Sequence, residues 1–373
     1  MTLAVVVLSP SLTSPRDSVA IVTMFPHTNM RKQGNTVAVR QRKAATIYDV
    51  ATRAGVSHQT VSRYLAGFEG IRPSTRERVA TALKELDYRP NLAARSLATN
   101  RAHRIAVLTG DLLAAGPSRT VQGVAEASRA AGYVVDIIGI DVDNSESLRE
   151  VIDVIRGQDL AGVVALAVSD RIHDAIAELA IDAPLYLDSG PADLPGPVGQ
   201  SFNAVGIQLA LQHLIDLGHH EIVHITGAMD YLAAQARVNG FEQLALERGL
   251  RAHPIIEGDW TPRSGYAAVA SGQIDPTVTA IVAANDQIAL GALRALDEAG
   301  VRCPADISVT GFDDIPEAEY YTPSLTTVRI DFQQQGTYIF NALMAQIRGD
   351  ERPETGAFIK PQLVVRASTA PPR

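Results

Sequence analysis

Hydrophobic residues recur at helical spacing in three short segments between residues 46 and 90. The first segment begins at Thr46 and ends at Gly55, and the second follows from Ser57, so each has a residue suited to capping a helix. The stretch 74–77 reads Ser-Thr-Arg-Glu, a capping-box pattern that predicts the start of a third helix. Three short amphipathic helices, the first two joined by a tight glycine turn, are typical of a helix-turn-helix bundle.

After residue 104 the pattern changes to apolar runs that alternate with amphipathic helices. This alternation predicts parallel β-sheets covered by helices. It occurs in two similar series, which predict two α/β lobes with a ligand cleft at the carboxyl ends of the strands. The predicted strands are 105–108, 134–140, 163–168, 185–187, 222–225, 254–256, 280–283 and 307–310, and the predicted helices are 121–131, 148–155, 173–179, 205–217, 235–248 and 287–299.

These patterns divide the chain into four segments. In the first segment, hydrophobic residues show no sustained helical or strand periodicity, and we predict a disordered basic arm. Met24 and Met30 leave open a translation start further downstream. In the last segment, the first lobe is predicted to comprise about 105–200 and 332–348, and the second lobe about 201–331 and 349–373. The four segments are the arm at 1–43, the helix-turn-helix headpiece at 44–89, a hinge helix and linker at 90–104, and a two-lobed ligand-binding and dimerisation domain at 105–373.

The net charge of −8 is unevenly distributed along the chain. Residues 1–104 hold 16 Lys and Arg against 6 Asp and Glu, a net charge of +10, whereas the remainder holds 17 against 35, a net charge of −18. Chance clustering is one explanation. The asymmetry otherwise indicates that the first part of the chain binds a polyanion and that the second part has a different task.

The composition also argues against several classes of protein. No run of about 18 apolar residues occurs and no basic region precedes the apolar start, so a membrane span or signal peptide is not expected. Cys303 is the only cysteine, which excludes an internal disulfide and a cysteine-based zinc site, and it has no evident basic partner. His219, His220 and His224 lack the spacing of a metal site. We expect a cytoplasmic, nucleoid-associated protein with no metal and no cofactor.

The second predicted helix has side chains suited to reading DNA. A recognition helix presents its N-terminal residues to base edges in the major groove. Gln contacts adenine and Arg contacts guanine with paired hydrogen bonds, and the four-residue spacing of Gln59 and Arg63 places both on one face. An ordinary solvated helix surface is the alternative. The predicted DNA-contacting residues of this helix are His58, Gln59, Thr60, Ser62 and Arg63.

An ungapped string of motifs runs through residues 46–99: YDVA at 48–51, AGVS at 54–57, TVSR at 60–63, TRERV at 75–79 and YRPN at 88–91. This string resembles the headpiece of the lactose-repressor and galactose-repressor family of bacterial transcription regulators. The resemblance continues to about residue 370. It implies an α/β protein in which a three-helix helix-turn-helix headpiece precedes a two-lobed, periplasmic-binding-protein-like parallel α/β domain.

The resemblance also assigns a role to the segment after the headpiece. In that family the segment is a hinge that becomes helical on the operator, and each subunit of a dimer inserts a leucine into the minor groove. It implies that Asn91, Ala94 and Leu97 contact DNA and that Leu97 is the inserted wedge, although an apolar linker anchor is the alternative. No leucine heptads follow the predicted strand 363–365, so we expect a homodimer on a near-palindromic, double-stranded operator.

Polar and aromatic residues at the ends of predicted strands suit a sugar, which needs planar polar groups and an aromatic face. Asn285 and Asp313 each follow such a strand, although Asn-Asp after a strand is also an ordinary helix cap. The cleft motifs resemble the lactose-repressor branch of the family. By that resemblance Arg237, Asn285 and Asp313 hold sugar hydroxyls, Asp188 assists, Trp260 and Phe332 pack on the ring, and Ala114, Pro117 and Thr120 line the first lobe.

The sequence therefore predicts a transcriptional repressor, not an enzyme, whose operator binding is relieved by a small sugar, galactoside-like or a related oligosaccharide. A regulator of the same family that uses a small metabolite as corepressor is the alternative. A solute-binding protein for uptake would require an export signal and would have no headpiece, whereas this sequence predicts a headpiece and no signal peptide. A glycosidase would need a carboxylate pair such as Asp188 and Asp313 at about 5 to 9.5 Å, and no other nucleophile constellation is present.

Overall fold

The computed structural model describes residues 45–88, 102–140, 145–166, 183–187, 201–353 and 360–373, apart from single positions at 66, 111, 113 and 252. The chain divides near residue 90 into two compact units. Within the described residues, no helix has both the length and the apolar character that a membrane crossing requires.

The first unit is a bundle of three short helices, α1 (Ile47–Ala54), α2 (His58–Leu65) and α3 (Pro73–Glu85). Its core is formed by Val50, Val61 and Val79, one from each helix, and all three side chains are fully buried. Because each helix buries a narrow apolar stripe, none would be stable alone and the bundle depends on their mutual packing.

The predicted capping of α1 is confirmed. Thr46 Oγ1 accepts a hydrogen bond from the backbone N–H of Asp49 at 3.3 Å, and the Asp49 carboxylate accepts one from the backbone N–H of Thr46 at 2.7 Å. Gly55 ends the helix in the left-handed region, with φ of 63°. A residue without a Cβ takes up this conformation at the least cost, and the chain can then turn directly into α2.

The predicted capping box at residues 74–77 is wrong. The third helix starts one residue earlier, at Pro73, and the N-cap residue Arg72 makes no side-chain capping bond. Proline is favoured at the first helical position because its fixed φ suits the helix and its missing N–H would be unpaired there anyway.

The second unit alternates strands and helices as the sequence pattern predicts. Its elements are β1 (Arg104–Thr109), α4 (Ala115–Ala130), β2 (Val134–Gly139), α5 (Ser145–Arg156), β3 (Gly162–Leu166), β4 (Leu185–Leu187), α6 (Phe202–Asp216), β5 (Ile222–Ile225), α7 (Leu232–Glu247), α8 (Pro262–Ala270), β6 (Ala280–Ala283), α9 (Asp286–Glu298), β7 (Ser308–Thr310), β8 (Thr327–Arg329), α10 (Phe332–Arg348) and β9 (Gln362–Val364), with a 3-10 turn at Pro316–Tyr320.

Two parallel sheets define two lobes in this unit. The first sheet has the strand order β2-β1-β3-β4 and the second has the order β5-β6-β7. Strands β1, β3, β5, β6 and β7 are buried along most of their length, as expected when helices cover both faces, whereas the edge strand β2 is half-buried or exposed. The predicted parallel α/β architecture is therefore confirmed. The helix predicted at 173–179 lies outside the described residues.

The chain crosses between the lobes in the region of β8 and β9, which pair with each other in antiparallel fashion. The helix α10 lies between them in sequence and packs on the first lobe, where Ile339 and Leu343 share a core with Ile105 and Val164. The predicted strand at 254–256 is reduced to one bridge, in which Ile256 pairs with the end of β5. Three elements, α8, β8 and the long helix α10, were not predicted; α8 and β8 are short and their apolar pattern is weak.

Candidate functional site

The exposed face of α2 presents most of the predicted DNA-contacting residues to solvent. His58, Gln59, Ser62 and Arg63 are exposed, whereas Thr60 is half-buried. Thr60 is turned inward because its backbone N–H donates to Ser57 Oγ at 3.2 Å and the two hydroxyls lie 3.0 Å apart. Ser57 therefore caps α2, and it holds the N-terminal turn in place.

Two aromatic side chains that the sequence analysis missed flank this face. The guanidinium of Arg63 lies 5.7 Å from the centre of the Phe68 ring, and the His58 and Tyr48 rings lie 5.2 Å apart. Phe68 and Tyr48 are both more than half exposed, which is unusual for large apolar rings. No sequence signal was available, because neither ring adjoins an arginine along the chain and the exposure of both rings is set by the packing of the bundle.

Four of the predicted site residues, Asn91, Ala94 and Leu97 of the hinge and Asp188 of the cleft, lie outside the described residues. Every other predicted cleft residue lines a single cavity between the two lobes. These residues are Ala114, Pro117 and Thr120 from the first lobe, Arg237, Trp260, Asn285 and Asp313 from the second, and Phe332 from the start of α10.

Arg237 is the central charged group of the cavity, and its side chain is only 6% exposed. Its Nε donates to Asn203 Oδ1 at 3.0 Å, and Nη1 donates to the backbone oxygen of Ala284. Nη2 lies 3.6 Å from Asp313 Oδ1, and the guanidinium carbon lies 3.8 Å from the centre of the Phe312 ring. The buried cation is therefore compensated by one carboxylate, two polar oxygens and an aromatic face.

Two buried carboxyl groups lie near this arginine, and both have raised pKa values. Burial raises the pKa of Asp313 to about 6, against the opposing attraction of Arg237 and Arg119. Burial and the nearby charge of Asp313 raise the pKa of Asp286 to about 8. Asp286 lies at the first position of α9, where it accepts hydrogen bonds from the Thr327 hydroxyl and from the backbone N–H of Ile315.

Asn285 has the helix-cap role that its position after β6 suggested, and it also lines the cavity. Its Oδ1 accepts from the backbone N–H of Ile288 at 2.8 Å, and its Nδ2 donates to the backbone oxygen of Trp260 at 3.1 Å. One amide thereby fixes both the start of α9 and the loop that carries the tryptophan. One lone pair of Oδ1 and one N–H of Nδ2 remain available for hydrogen bonds to a ligand.

Trp260 forms an aromatic wall of the cavity. Its backbone has a φ of 69°, and its ring lies so close to Gly227 that a Cβ there would overlap it. Tyr231 packs edge-on against the ring at 6.1 Å between centres. The indole Nε1 is buried and has no hydrogen-bond partner among the described residues, which is costly unless a further group such as a ligand accepts from it.

The structure adds cavity residues that the sequence analysis missed. Asn203 and Gln335 are buried polar side chains; Asn203 contrasts with the largely apolar helix around it, which was a partial signal, whereas Gln335 is one of three consecutive glutamines. Leu166 gave no such signal, because apolar residues at the end of a strand are common. The missed residues are Gly116, Leu166, Phe202, Asn203, Tyr231, Leu232, Ala233 and Gln335.

The histidines and the cysteine of the second lobe have structural contacts. His224 Nδ1 lies 2.8 Å from the backbone oxygen of Val282, and burial lowers the pKa of His224 to about 4. Burial raises the pKa of Cys303 to about 12, which keeps the thiol protonated and unreactive. Across the part of the chain that the structure describes, no group of three or more His, Cys, Asp or Glu side chains is placed to hold a metal ion.

A helix-turn-helix unit followed by a two-lobed binding domain with an interlobe cavity defines a class of proteins, the ligand-binding transcription regulators. Residues 46–91 match the family described as bacterial regulatory proteins, lacI family, and residues 211–369 match the periplasmic binding protein-like domain. The chain belongs to the lacI family. It is a DNA-binding repressor by this membership and by its similarity to curated repressors.

Among these relatives, the chain is 31% identical to the lactose operon repressor of Escherichia coli (strain K12) over 333 residues, which cover 88% of this chain and 92% of the relative. It is 33% identical to the HTH-type transcriptional repressor PurR of Erwinia tasmaniensis over 338 residues, covering 87% and 97%. Two solved structures are similar, each at 30% identity. One is the Lac repressor bound to ONPG in the repressed state, with a TM-score of 0.73; the match covers 88% of this chain and 100% of that one. The other is the CelR–cellobiose complex, with a TM-score of 0.63; the match covers 87% of this chain and 99% of that one.

Proposed function

We propose that this repressor binds a small, uncharged sugar in the cavity between its lobes and that the sugar relieves operator binding. The observation that carries the proposal is the convergence of Arg237, Asn285 and Asp313 beside Trp260 in one cavity. These side chains offer donors, acceptors and an aromatic wall, and the buried Trp260 N–H has no hydrogen-bond partner among the residues that the structure describes. A ring with several hydroxyls matches this set of groups.

The charge balance of the cavity favours a neutral ligand. Among the described lining residues, only Arg237 and Asp313 are charged, and they lie opposite each other at 3.6 Å. A phosphorylated or polyanionic metabolite would require cations that are not already paired. A polyhydroxyl compound exchanges hydrogen bonds with both groups without changing the net charge of the buried site.

The similar structures with bound ligands support a sugar. Among them, the Lac repressor is bound to ONPG in the repressed state and CelR is in complex with cellobiose. We infer a galactoside-like compound or a related oligosaccharide for this chain. In the alternative, a small metabolite acts as corepressor and strengthens operator binding; the experiment below separates the two modes because they change operator affinity in opposite directions.

We further propose that the protein acts in the cytoplasm, without catalysis, as a homodimer on a near-palindromic operator. His58, Gln59, Thr60, Ser62 and Arg63 of the headpiece would read bases. Asn91, Ala94 and Leu97 would contact the minor groove, as the family resemblance implies. The same resemblance supports the predicted division of the chain into an arm at 1–43, a headpiece at 44–89, a hinge helix and linker at 90–104, and a two-lobed domain at 105–373. The first lobe would comprise about 105–200 and 332–348, and the second about 201–331 and 349–373.

The test is operator-fragment binding by the purified full-length protein, with the fragment first selected from random DNA. The complex is titrated at fixed salt with galactosides, glucosides and other sugars, because DNA affinity without a stated salt concentration has no meaning. Release by one sugar supports induction, and tighter binding supports corepression. Indifference to every sugar, together with no sugar-dependent change in Trp260 fluorescence, would refute the assignment of the cavity to sugars.

A further inference from the structure

Arg119 connects the two lobes at one point beside the cavity. It lies in the second turn of α4, on the first lobe, and its side chain is half-buried. Its Nη1 donates to the backbone oxygen of Asp313 at 3.3 Å, and both terminal nitrogens donate to that of Asp314 at 3.4 and 3.3 Å. Both oxygens belong to the corner that follows β7 in the second lobe.

This Asp313–Asp314 corner is strained. Asp313 has a φ of 103° and Asp314 a φ of 48°, a region that residues with a side chain seldom occupy. Two consecutive residues in that region persist only where their surroundings fix them, and such strain concentrates at ligand clamps and switch regions. The conformation turns both carbonyl groups toward the guanidinium of Arg119.

The corner is also fixed by two other arginines, through the side chain of Asp314. The buried carboxylate of Asp314 accepts from Arg329 Nε at 2.6 Å and from Arg366 Nη2 at 2.7 Å. Arg329 ends β8 and Arg366 follows β9, so both arginines border the segments in which the chain crosses between the lobes. The corner therefore joins the crossover segments to the first lobe.

The same corner faces the ligand cavity through its other carboxylate. Asp313 pairs with Arg237 inside the cavity, while Arg119 holds the backbone of that same residue from the first lobe. The preceding turn of α4 also contacts the second lobe, because Ala115 packs against its core. A ligand that displaces the Asp313 carboxylate would therefore act directly on the point where the lobes are joined.

We propose that Arg119 is an interlobe latch, a positioning residue that sets the balance between lobe arrangements and so couples sugar binding to operator binding. This inference rests on the proposed sugar response. Arg119 does not line the cavity, so its removal alters the balance without removing a ligand contact. A ligand shifts a conformational equilibrium only through its different affinities for the two states, and the shift is reciprocal between sites.

The test compares Arg119→Gln with Arg129→Gln in the full-length protein. Both substitutions remove one positive charge from α4, but Arg129 is exposed and lies near its C-terminal end. We measure the lactose or cellobiose concentration that half-releases the operator fragment. Arg119→Gln should change this half-release concentration by about tenfold, the effect expected from the loss of one charge-assisted hydrogen bond. Arg129→Gln should change it by less than about twofold. Arg119→Lys, which keeps a donor but loses the planar fork, should recover part of the shift.

A shift in either direction supports the latch, since its sign shows which lobe arrangement the contact stabilises. If the half-release concentration of Arg119→Gln lies within about twofold of the wild-type value, the latch role of Arg119 is refuted, while the proposed sugar response still stands. If no sugar releases the wild-type protein, the proposed function fails and the latch is judged by hydrogen exchange of the amides of residues 313–315. Faster exchange in Arg119→Gln but not in Arg129→Gln supports the latch, and equal exchange in both refutes it.

Discussion

Replacement of Arg237 by methionine tests how the cavity is held together. The Arg237 and Asp313 side chains are 6% and 9% exposed, and their charged atoms lie 3.6 Å apart. Methionine fills a similar length without a charge or a donor. It would leave the Asp313 carboxylate buried without its main counter-charge, and it would free the oxygens of Asn203 and Ala284 that the guanidinium now satisfies.

The expected loss is large compared with the stability of a typical domain. Removal of one member of a buried ion pair costs about 3 to 5 kcal/mol, out of about 5 to 15 kcal/mol for a whole domain. Arg119 retains a weaker attraction for Asp313, so we expect a loss near the lower end of that range. The family resemblance implies only a ligand contact for Arg237, whereas its buried ion pair with Asp313 predicts a role in stability as well.

The pH dependence of this loss follows from the Asp313 pKa. In the wild type that pKa is about 6, and loss of the arginine removes an attraction that lowers it, so the pKa rises further in the variant. The charge penalty is therefore present at pH 8, where the wild-type carboxylate is ionised. It becomes smaller as the pH falls toward 6, because the variant's carboxyl group takes up its proton at a higher pH than the wild type's, and it is largely absent below about 6, where Asp313 is protonated in both proteins.

Urea unfolding followed by Trp260 fluorescence at pH 5.5 and pH 8 measures this effect, because the chain has a single tryptophan. The matched variant is Arg237→Met combined with Asp313→Asn, which removes both charges and should recover much of the loss. A single variant that loses less than about 1 kcal/mol at pH 8, or a double variant that is no more stable than the single, would refute the reasoning.

Four further predictions concern other parts of the molecule. Trp260→Phe removes the indole N–H, which has no partner among the described residues, together with part of the aromatic wall, and should weaken sugar-dependent operator release by at least about tenfold; an unchanged release curve would show that the sugar neither accepts from the N–H nor packs on the lost part of the ring. Asp286 has a folded-state pKa of about 8, above its unfolded value, so it lowers the free energy of unfolding by up to about 1.4 kcal/mol per pH unit as the pH rises from 6.5 to 8. Asp286→Asn should remove that slope in urea unfolding, and a variant that keeps it would contradict the assignment. Gly291→Ala should cost about 1 to 3 kcal/mol because its Cβ would overlap backbone atoms of α8, whereas Gly139→Ala, with open space around it, should cost less than about 1 kcal/mol; equal costs would argue against close α8–α9 packing. Arg63→Ala should relax operator specificity at one base position in a binding selection, and equal losses on all sequences would exclude base reading by this side chain.

The headpiece could be predicted closely because its signals are local. The Thr46 cap, the Gly55 turn and the 3.6-residue apolar spacing each act within one helical turn, and the structure reproduces them. The start of α3 was misplaced because two local signals competed, the capping-box pattern and Pro73. The proline prevailed, since its fixed φ favours the first helical position more directly than a side-chain cap does.

The cleft was predicted in composition but not in its contacts. Asn285 and Asp313 could be named because parallel strands bring their carboxyl ends to one edge of a sheet. Asn203 and Gln335 were missed, since whether a polar residue on a helix faces a cavity depends on packing between elements distant in sequence. The double role of Asn285, as helix cap and cavity residue, likewise became visible only in three dimensions.

By itself, the sequence determined the helix-turn-helix bundle, the alternation of strands and helices, the family, and most of the residue types around the cavity. These properties follow from periodicity, capping and motifs, which depend on neighbours a few positions apart. Only the tertiary structure decided that Arg119 reaches the Asp313–Asp314 corner, that Arg237 pairs with Asp313, and that the Trp260 N–H has no partner among the described residues. The physical reason is that burial and pairing of charges are set by residues brought together across the lobes, and no local pattern along the chain encodes that proximity.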